Sequence, residues 1–157
     1  MEIRLARSWD IPGMIALLKQ VGEVHHVIRP DLFRSGAQKY DERDLEELLQ
    51  DADRPIFVAE EDGILGYCFC IFKTTAGNTV LRDRRELYID DLCVDENCRG
   101  KGVGQKLYDH VLRFAREEGF EAVTLNVWCG NDSAMRFYEK QGLKPRNIHM
   151  EICLEDN

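Results

Sequence analysis

The stretch DDLCVDENCRGKGVGQKLYDHVL, residues 90–112, changes its hydrophobic period at its centre. Leu92, Cys93 and Val94 continue an apolar run that begins near Glu86, which reads as a strand over Glu86–Val94. After the centre, Val103, Leu107, Val111, Leu112 and Ala115 fall on one helical face, which predicts a helix over Gly102–Glu118 closed by Gly119. Between the two lies Arg99-Gly100-Lys101-Gly102-Val103-Gly104. A helix N-terminus leaves backbone N–H groups unpaired and carries partial positive charge. Glycines there let an anion reach the main chain, and Arg99 and Lys101 add cationic side chains around it. The junction therefore reads as a loop suited to a pyrophosphate.

Spacing removes two familiar phosphate loops. A P-loop needs Ser or Thr after its lysine, and Lys101 is followed by Gly102. A dinucleotide fingerprint needs Gly or Ala three residues after its second glycine, where Gln105 or Leu107 stands, depending on the starting glycine.

Outward from the loop, Ala122–Val127 reads as a short strand. Asp132–Gln141 follows as a helix capped by Asn131 or Asp132 and stopped by Gly142. The chain ends on a predicted strand, Asn147–Leu154, in which Ile148, Met150, Ile152 and Leu154 alternate with polar or smaller neighbours. Upstream, Ile3 and Leu5 mark a first strand. Ile11, Met14, Ile15, Leu18 and Val21 form the stripe of a helix with Pro12 in its first turn and Ser8 or Asp10 as cap. A long connection is expected from His25 to Tyr40, then a second helix over Asp41–Gln50. Ile56–Ala59 and Ile64–Lys73 read as a hairpin about Glu61-Asp62-Gly63, with another connection over Thr74–Arg85. The predicted order is β-α-α-β-β-β-α-β-α-β, a mixed α/β (α+β) sheet with a parallel β-α-β crossover in its second half.

Arg99, Gly102 and Gly104 satisfy R/Q-x-x-G-x-G/A, and Asn131-Asp132-Ser133-Ala134-Met135-Arg136-Phe137-Tyr138-Glu139-Lys140-Gln141-Gly142-Leu143 is similar to N-x-x-A-x-x-F-Y-x-x-x-G-F. Together these segments resemble the GCN5-related N-acetyltransferase (GNAT) family, and the likeness covers most of the chain. Glu96, Asn97 and Cys98 depart from the Pro, acid and aromatic that many relatives carry, and the N-terminal half matches only in element order and in His26-x-x-x-Pro30-Asp31-x-Phe33, which looks like a substrate-side feature. The resemblance implies one domain over 1–157, with a mostly antiparallel sheet of six to seven strands, splayed strands four and five, and about four helices.

It also implies acetyl-CoA as cosubstrate and a primary amine, small and cationic or on a protein, as acceptor. The cofactor would pair as an extra strand with Leu92, Cys93 and Val94, and its pyrophosphate would rest on Arg99, Gly100, Lys101, Gly102, Val103, Gly104 and Gln105, with Asn131 and Ser133 as further contacts. Tyr138 resembles the family's general acid for the leaving thiolate. For the base, period 2 places Glu86, Tyr88 and Asp90 on one strand face and Asp91 on the other unless a bulge intervenes, and Asp90 is the preferred acceptor. His25 and His26 are alternatives, whereas Cys93 has no histidine placed in sequence to activate it as a nucleophile. Other readings are a non-catalytic acetyl-CoA-binding regulatory module and a transferase of longer acyl groups.

The formal charge of −8 over 157 residues opposes binding to nucleic acid or to an anionic membrane and draws cationic substrates. None of the six cysteines forms a C-x-x-C pair, so no metal site is expected and the reducing cytoplasm is the expected compartment. No run approaches the roughly 18 apolar residues of a membrane span. Edge strands of such a sheet are compatible with a homodimer.

Overall fold

The computed structural model describes residues 1–155. They group into two compact units, Met1–Asn126 and the residues from Val127 onward. The first unit runs β1 (Glu2–Leu5), α1 (Ile11–Ile28), α2 (Glu42–Leu48), β2 (Ile56–Glu60), β3 (Ile64–Thr75), β4 (Arg84–Val94), α3 (Val103–Glu117) and β5 (Ala122–Leu125). The strands form one sheet in the order β1-β2-β3-β4-β5. β2 and β3 turn through Asp62 at φ 54° and Gly63 at φ 122°, conformations that suit a tight hairpin. The first three pairings are antiparallel and β4 to β5 is parallel, which is why α3 must cross over between them.

Each sheet face has its own core. On one, Ile56 and Val58 of β2, Tyr67 and Phe69 of β3 and Cys93 of β4 bury against Met14, Leu17 and Leu18 of α1 and Leu45 of α2. On the other, the rings of Phe57 and Phe72 meet Phe114 of α3. Leu107 and Val111 of α3 are fully buried, as the helical period of the loop-to-helix stretch predicts.

Several local expectations are corrected. α1 reaches Ile28, so His25 and His26 are helical rather than part of a long connection. Gly22 lets the following segment close against the helix: a Cβ there would stand 2.2 Å from the Ala37 carbonyl oxygen. Ser8 lies in a 3-10 turn over Ser8–Asp10, and Asp10 makes no side-chain cap to α1. Its carboxylate instead accepts from Arg4 Nη1 and Nη2 at 2.7 and 3.0 Å and from the Arg7 backbone N–H at 2.8 Å, tying β1 to the helix entry.

In the second unit α4 spans Asp132–Lys140, and Asn131 caps it by accepting from the Ala134 N–H. Gly142 at φ 94° ends it, as left-handed glycines commonly do. No residue described in this unit is fully buried. The predicted strand Asn147–Leu154 does not form among the described residues, so the sheet has five strands, not six or seven. Alternation makes a segment fit for a sheet, but a strand exists only where a partner takes its backbone hydrogen bonds. No helix among the described residues is long and apolar enough to cross a membrane.

Candidate functional site

β4 has unequal edges. It pairs with β3 from Arg84 to Val94, but with β5 only from Glu86 to Ile89. From Asp90 to Val94 its β5 side therefore has no strand partner among the described residues, because β5 ends at Leu125. Leu92, Cys93 and Val94 all lie on this stretch. In a ladder, alternate residues direct their N–H and C=O to opposite edges, so the open side presents main-chain groups to an extended ligand.

The same point carries a bulge. Phe69 opposes Asp91 and Cys70 opposes Ile89, leaving Asp90 as the extra residue. Asp91 thereby comes to the α1 and α2 side of the sheet, where Tyr67 donates to its Oδ2 at 2.7 Å. Asp90 Oδ2 accepts from Lys39 Nζ at 2.8 Å and Tyr40 OH at 3.0 Å. The Tyr40 hydroxyl in turn accepts from Arg54 Nη2 at 3.1 Å.

These carboxylates differ electrically. Burial raises the Asp91 carboxyl to about 6, only partly offset by the Tyr67 hydrogen bond and by Lys39. Burial and the Asp91 charge together push the Tyr67 hydroxyl up, so it stays protonated. Burial opposes the charge of Lys39, but its hydrogen bond to Asp90 prevails and raises the ammonium's pKa. Cys93 is pushed up to about 12, first by burial and then by Asp91, and its Sγ lies 3.8 Å from the Leu17 carbonyl oxygen. It is a packed thiol with no thiolate character.

Beyond Val94 the chain makes a 3-10 turn over Glu96–Cys98, capped by the Asp95 carboxylate accepting from the Asn97 N–H. Gly100 and Gly102 follow at φ 78° and 80°, and a Cβ at either would meet nothing within 4 Å. Glycine is required there by backbone conformation rather than crowding. Arg99, Gly100, Lys101 and Gly102 are exposed, while buried Val103 anchors the first turn of α3. Gly104 follows in that turn, and Gln105 Nε2 donates to Asp109 Oδ1 at 2.9 Å.

The remaining predicted residues, Asn131, Ser133 and Tyr138, belong to the second unit. Asn131 and Ser133 form the α4 cap, with Ser133 Oγ donating to Asn131 Oδ1 at 3.4 Å. The Tyr138 ring meets Phe137 edge-on at 5.2 Å. Of the alternative bases, His26 Nδ1 is bonded to the Phe33 carbonyl at 2.7 Å. Burial first, and Lys39 second, lower the pKa of His25, which stacks on Phe33.

Sequence reasoning passed over the groups around the bulge: Tyr67, Lys39, Tyr40 and Arg54. A doublet of aspartates inside an alternating strand is the one signal that pointed to it. Lys39, Tyr40 and Arg54, with Asp44, Glu47, Leu48 and Asp51, line a recess of about 400 Å³.

The sequence model of the Acetyltransferase (GNAT) family matches residues 21–143. YwnH of Bacillus subtilis (strain 168) is 32% identical over 89 residues, which are 57% of this chain and 53% of that protein, so the match spans about half the relative's length. The peptidyl-lysine N-acetyltransferase YjaB of Salmonella typhimurium is 27% identical over 147 residues, covering 91% of this chain and 83% of its own. Among solved structures, a variant of the BH1408 protein from Bacillus halodurans superposes with a TM-score of 0.94 at 29% identity, over 98% of this chain and 99% of that one. With its glycine loop at the α3 N-terminus and its β4 edge opened past Ile89, the chain belongs to the Acetyltransferase (GNAT) family.

Proposed function

We propose that the chain is an N-acetyltransferase that takes the acetyl group of acetyl-CoA and passes it directly to a primary amine. The observation that carries this reading is the open edge of β4 over Asp90–Val94 leading into the glycine loop at the α3 N-terminus. An extended pantetheine arm with amides suits that edge, and a pyrophosphate suits unpaired N–H groups flanked by Arg99 and Lys101. Acetyl-CoA supplies a thioester carbonyl open to attack by a neutral amine. Main-chain N–H near Cys93 is the group suited to hold the developing oxyanion. Asn131 and Ser133 add cofactor contacts, and Tyr138 donates the proton the departing thiolate needs.

An ammonium acceptor must first lose a proton. Asp90 is the base expected from strand periodicity, but its Oδ2 already takes two hydrogen bonds, from Lys39 and Tyr40. Asp91, with a carboxyl near 6, is better matched to proton transfer near neutrality, and Asp90 acts beside it by fixing Lys39 and Tyr40. The net charge of −8 and the three carboxylates of the recess beside Lys39 favour a cationic acceptor, small or a peptidyl lysine like that for which YjaB is named. Six free cysteines suit a reducing, cytoplasmic setting.

The test is CoA thiol release from acetyl-CoA with a panel of polyamines, amino acids, aminoglycosides and lysine peptides. Acceptor-dependent release with at least one amine class is expected. Tight acetyl-CoA binding by calorimetry with no release from any class would overturn the reading in favour of a non-catalytic cofactor-binding module. Propionyl- and succinyl-CoA, run alongside, report whether acetyl is the preferred group.

A further inference from the structure

The open edge of β4 and the glycine loop together set a direction. The loop at the α3 N-terminus follows Val94, so an arm whose pyrophosphate rests there runs back along the edge from Val94 toward Asp90, about 13 Å at strand spacing. Its thioester end is thereby delivered toward Asp90. At that end the chain holds a primary amine of its own. Lys39 Nζ donates to Asp90 Oδ2 at 2.8 Å, and the same oxygen accepts from Tyr40 OH at 3.0 Å.

The segment that carries this amine is braced. Tyr40 stacks on Phe69 of β3 with ring centroids 5.5 Å apart, and its hydroxyl accepts from Arg54 Nη2 at 3.1 Å. Gln38 Nε2 donates to the Tyr40 carbonyl at 2.8 Å. The Lys39 side chain is nonetheless 49% exposed, against 13% for Asp90. An amine hydrogen-bonded to a carboxylate, open on one side and set where a thioester arrives, has the placement that acyl transfer requires of its acceptor.

We propose that the chain acetylates its own Lys39 from acetyl-CoA in an intramolecular step. Self-acetylation rests on the acetyl-CoA reading above and adds an acceptor within the chain. The Asp90 carboxylate takes one proton from the Lys39 ammonium and passes it to water. The nitrogen lone pair then forms a C–N bond to the thioester carbonyl carbon. The C–S bond breaks with its electron pair on sulfur, and the second nitrogen proton leaves with the thiolate as CoA thiol. The products are a neutral acetamide on Lys39 and free CoA, with no change of oxidation state. Burial disfavours the Lys39 charge, but the hydrogen bond to Asp90 outweighs it and holds the proton, so the step is slow. Once modified, Lys39 no longer neutralises Asp90, and the recess it shares with Asp44, Glu47 and Asp51 loses a positive charge.

The experiment is incubation of the purified full chain with saturating acetyl-CoA, peptide mass spectrometry of every lysine, and the amine panel run alongside. Lys39 is expected to take up acetyl ahead of the exposed Lys19 and Lys106, at a rate per chain that does not change with chain concentration. Acetic anhydride, used without CoA, should label Lys39 after them, because an ammonium held by a carboxylate is a poor nucleophile toward a free reagent. Asp90→Asn separates the two chemistries by sign: it should slow labelling by acetyl-CoA by a factor of about 10² and hasten labelling by the anhydride. Acetyl-CoA labelling led by Lys19 or Lys106, a rate proportional to chain concentration, an anhydride reaction also led by Lys39, or faster acetyl-CoA labelling in Asp90→Asn would each overturn the proposal. The lysine order and the concentration dependence of the unaltered chain decide the matter if Asp90→Asn fails to fold. CoA release with the panel but no acetyl on Lys39 overturns self-acetylation and leaves the transferase reading standing. Acetyl on Lys39 without panel release does the reverse, and the absence of both overturns both.

Discussion

Replacing Asp91 with Asn should raise the stability of the fold relative to the parent as pH rises from about 4 to about 6. The Asp91 carboxyl moves from 3.8 to about 6 on folding, chiefly because burial disfavours its charged form. A difference of roughly two pH units corresponds to about 3 kcal/mol between the two protonation states. The sign follows from proton uptake: between about pH 4 and 6 the folded chain holds a proton that the unfolded chain has released, so rising pH lowers stability across that window. Above it the deficit is constant, and below it the deficit vanishes. Residual solvent access at Asp91 reduces the amount, leaving roughly 1.5–3 kcal/mol. Asn has the same shape, keeps an oxygen to accept from Tyr67 and has no charge to desolvate. Its new N–H₂ group adds a pH-independent offset of about 1–3 kcal/mol if left unsatisfied, so the pH slope of the difference is the quantity to read. Urea denaturation followed by tryptophan fluorescence, on both proteins from about pH 4 to pH 8, measures it. Asp10 and the other shifted carboxylates are common to both proteins and cancel. The stability of Asp91→Asn relative to the parent should rise through this window. A flat difference, or one that falls, would refute both the raised carboxyl and the assignment of Asp91 as base.

The other predictions concern separate links. Tyr138→Phe should bind acetyl-CoA with nearly unchanged affinity while kcat falls by a factor of about 10² or more, and an unchanged kcat in steady-state assays would remove the acid role. Gly102→Val forces a branched residue to φ 80°, so thermal melting should show a loss of about 1–2 kcal/mol and calorimetry a weaker acetyl-CoA affinity. Asp10→Ala should cost about 3 kcal/mol in urea unfolding, because it leaves Arg4 without its bidentate partner. Burial raises the Asp10 carboxyl, but hydrogen bonds from Arg4 and Arg7 outweigh it and hold the carboxyl below the usual range. Its contribution is thus full above about pH 4 and is lost as pH falls below that, a loss the Ala variant should not show.

Features governed by local spacing were legible in the residues alone. The glycine loop, the apolar stripe of α3, the β2–β3 hairpin and a cap at Asn131 or Asp132 each depend on neighbours within a few residues, and their period or turn chemistry was readable, while the structure chose Asn131. The open edge of β4 was legible only through the family resemblance, because strand spacing does not say where a partner stops. Tertiary structure alone decided the bulge, since the register slip that turns Asp91 toward Tyr67 is set by pairing with β3, residues distant in sequence. It also drew Asp10 away from capping and into the grip of Arg4, and carried α1 on through His25 and His26. Asn147–Leu154 shows the same limit from the other side. Its alternation is plain in the sequence, but whether it is a strand depends on a hydrogen-bonding partner that no local pattern can supply.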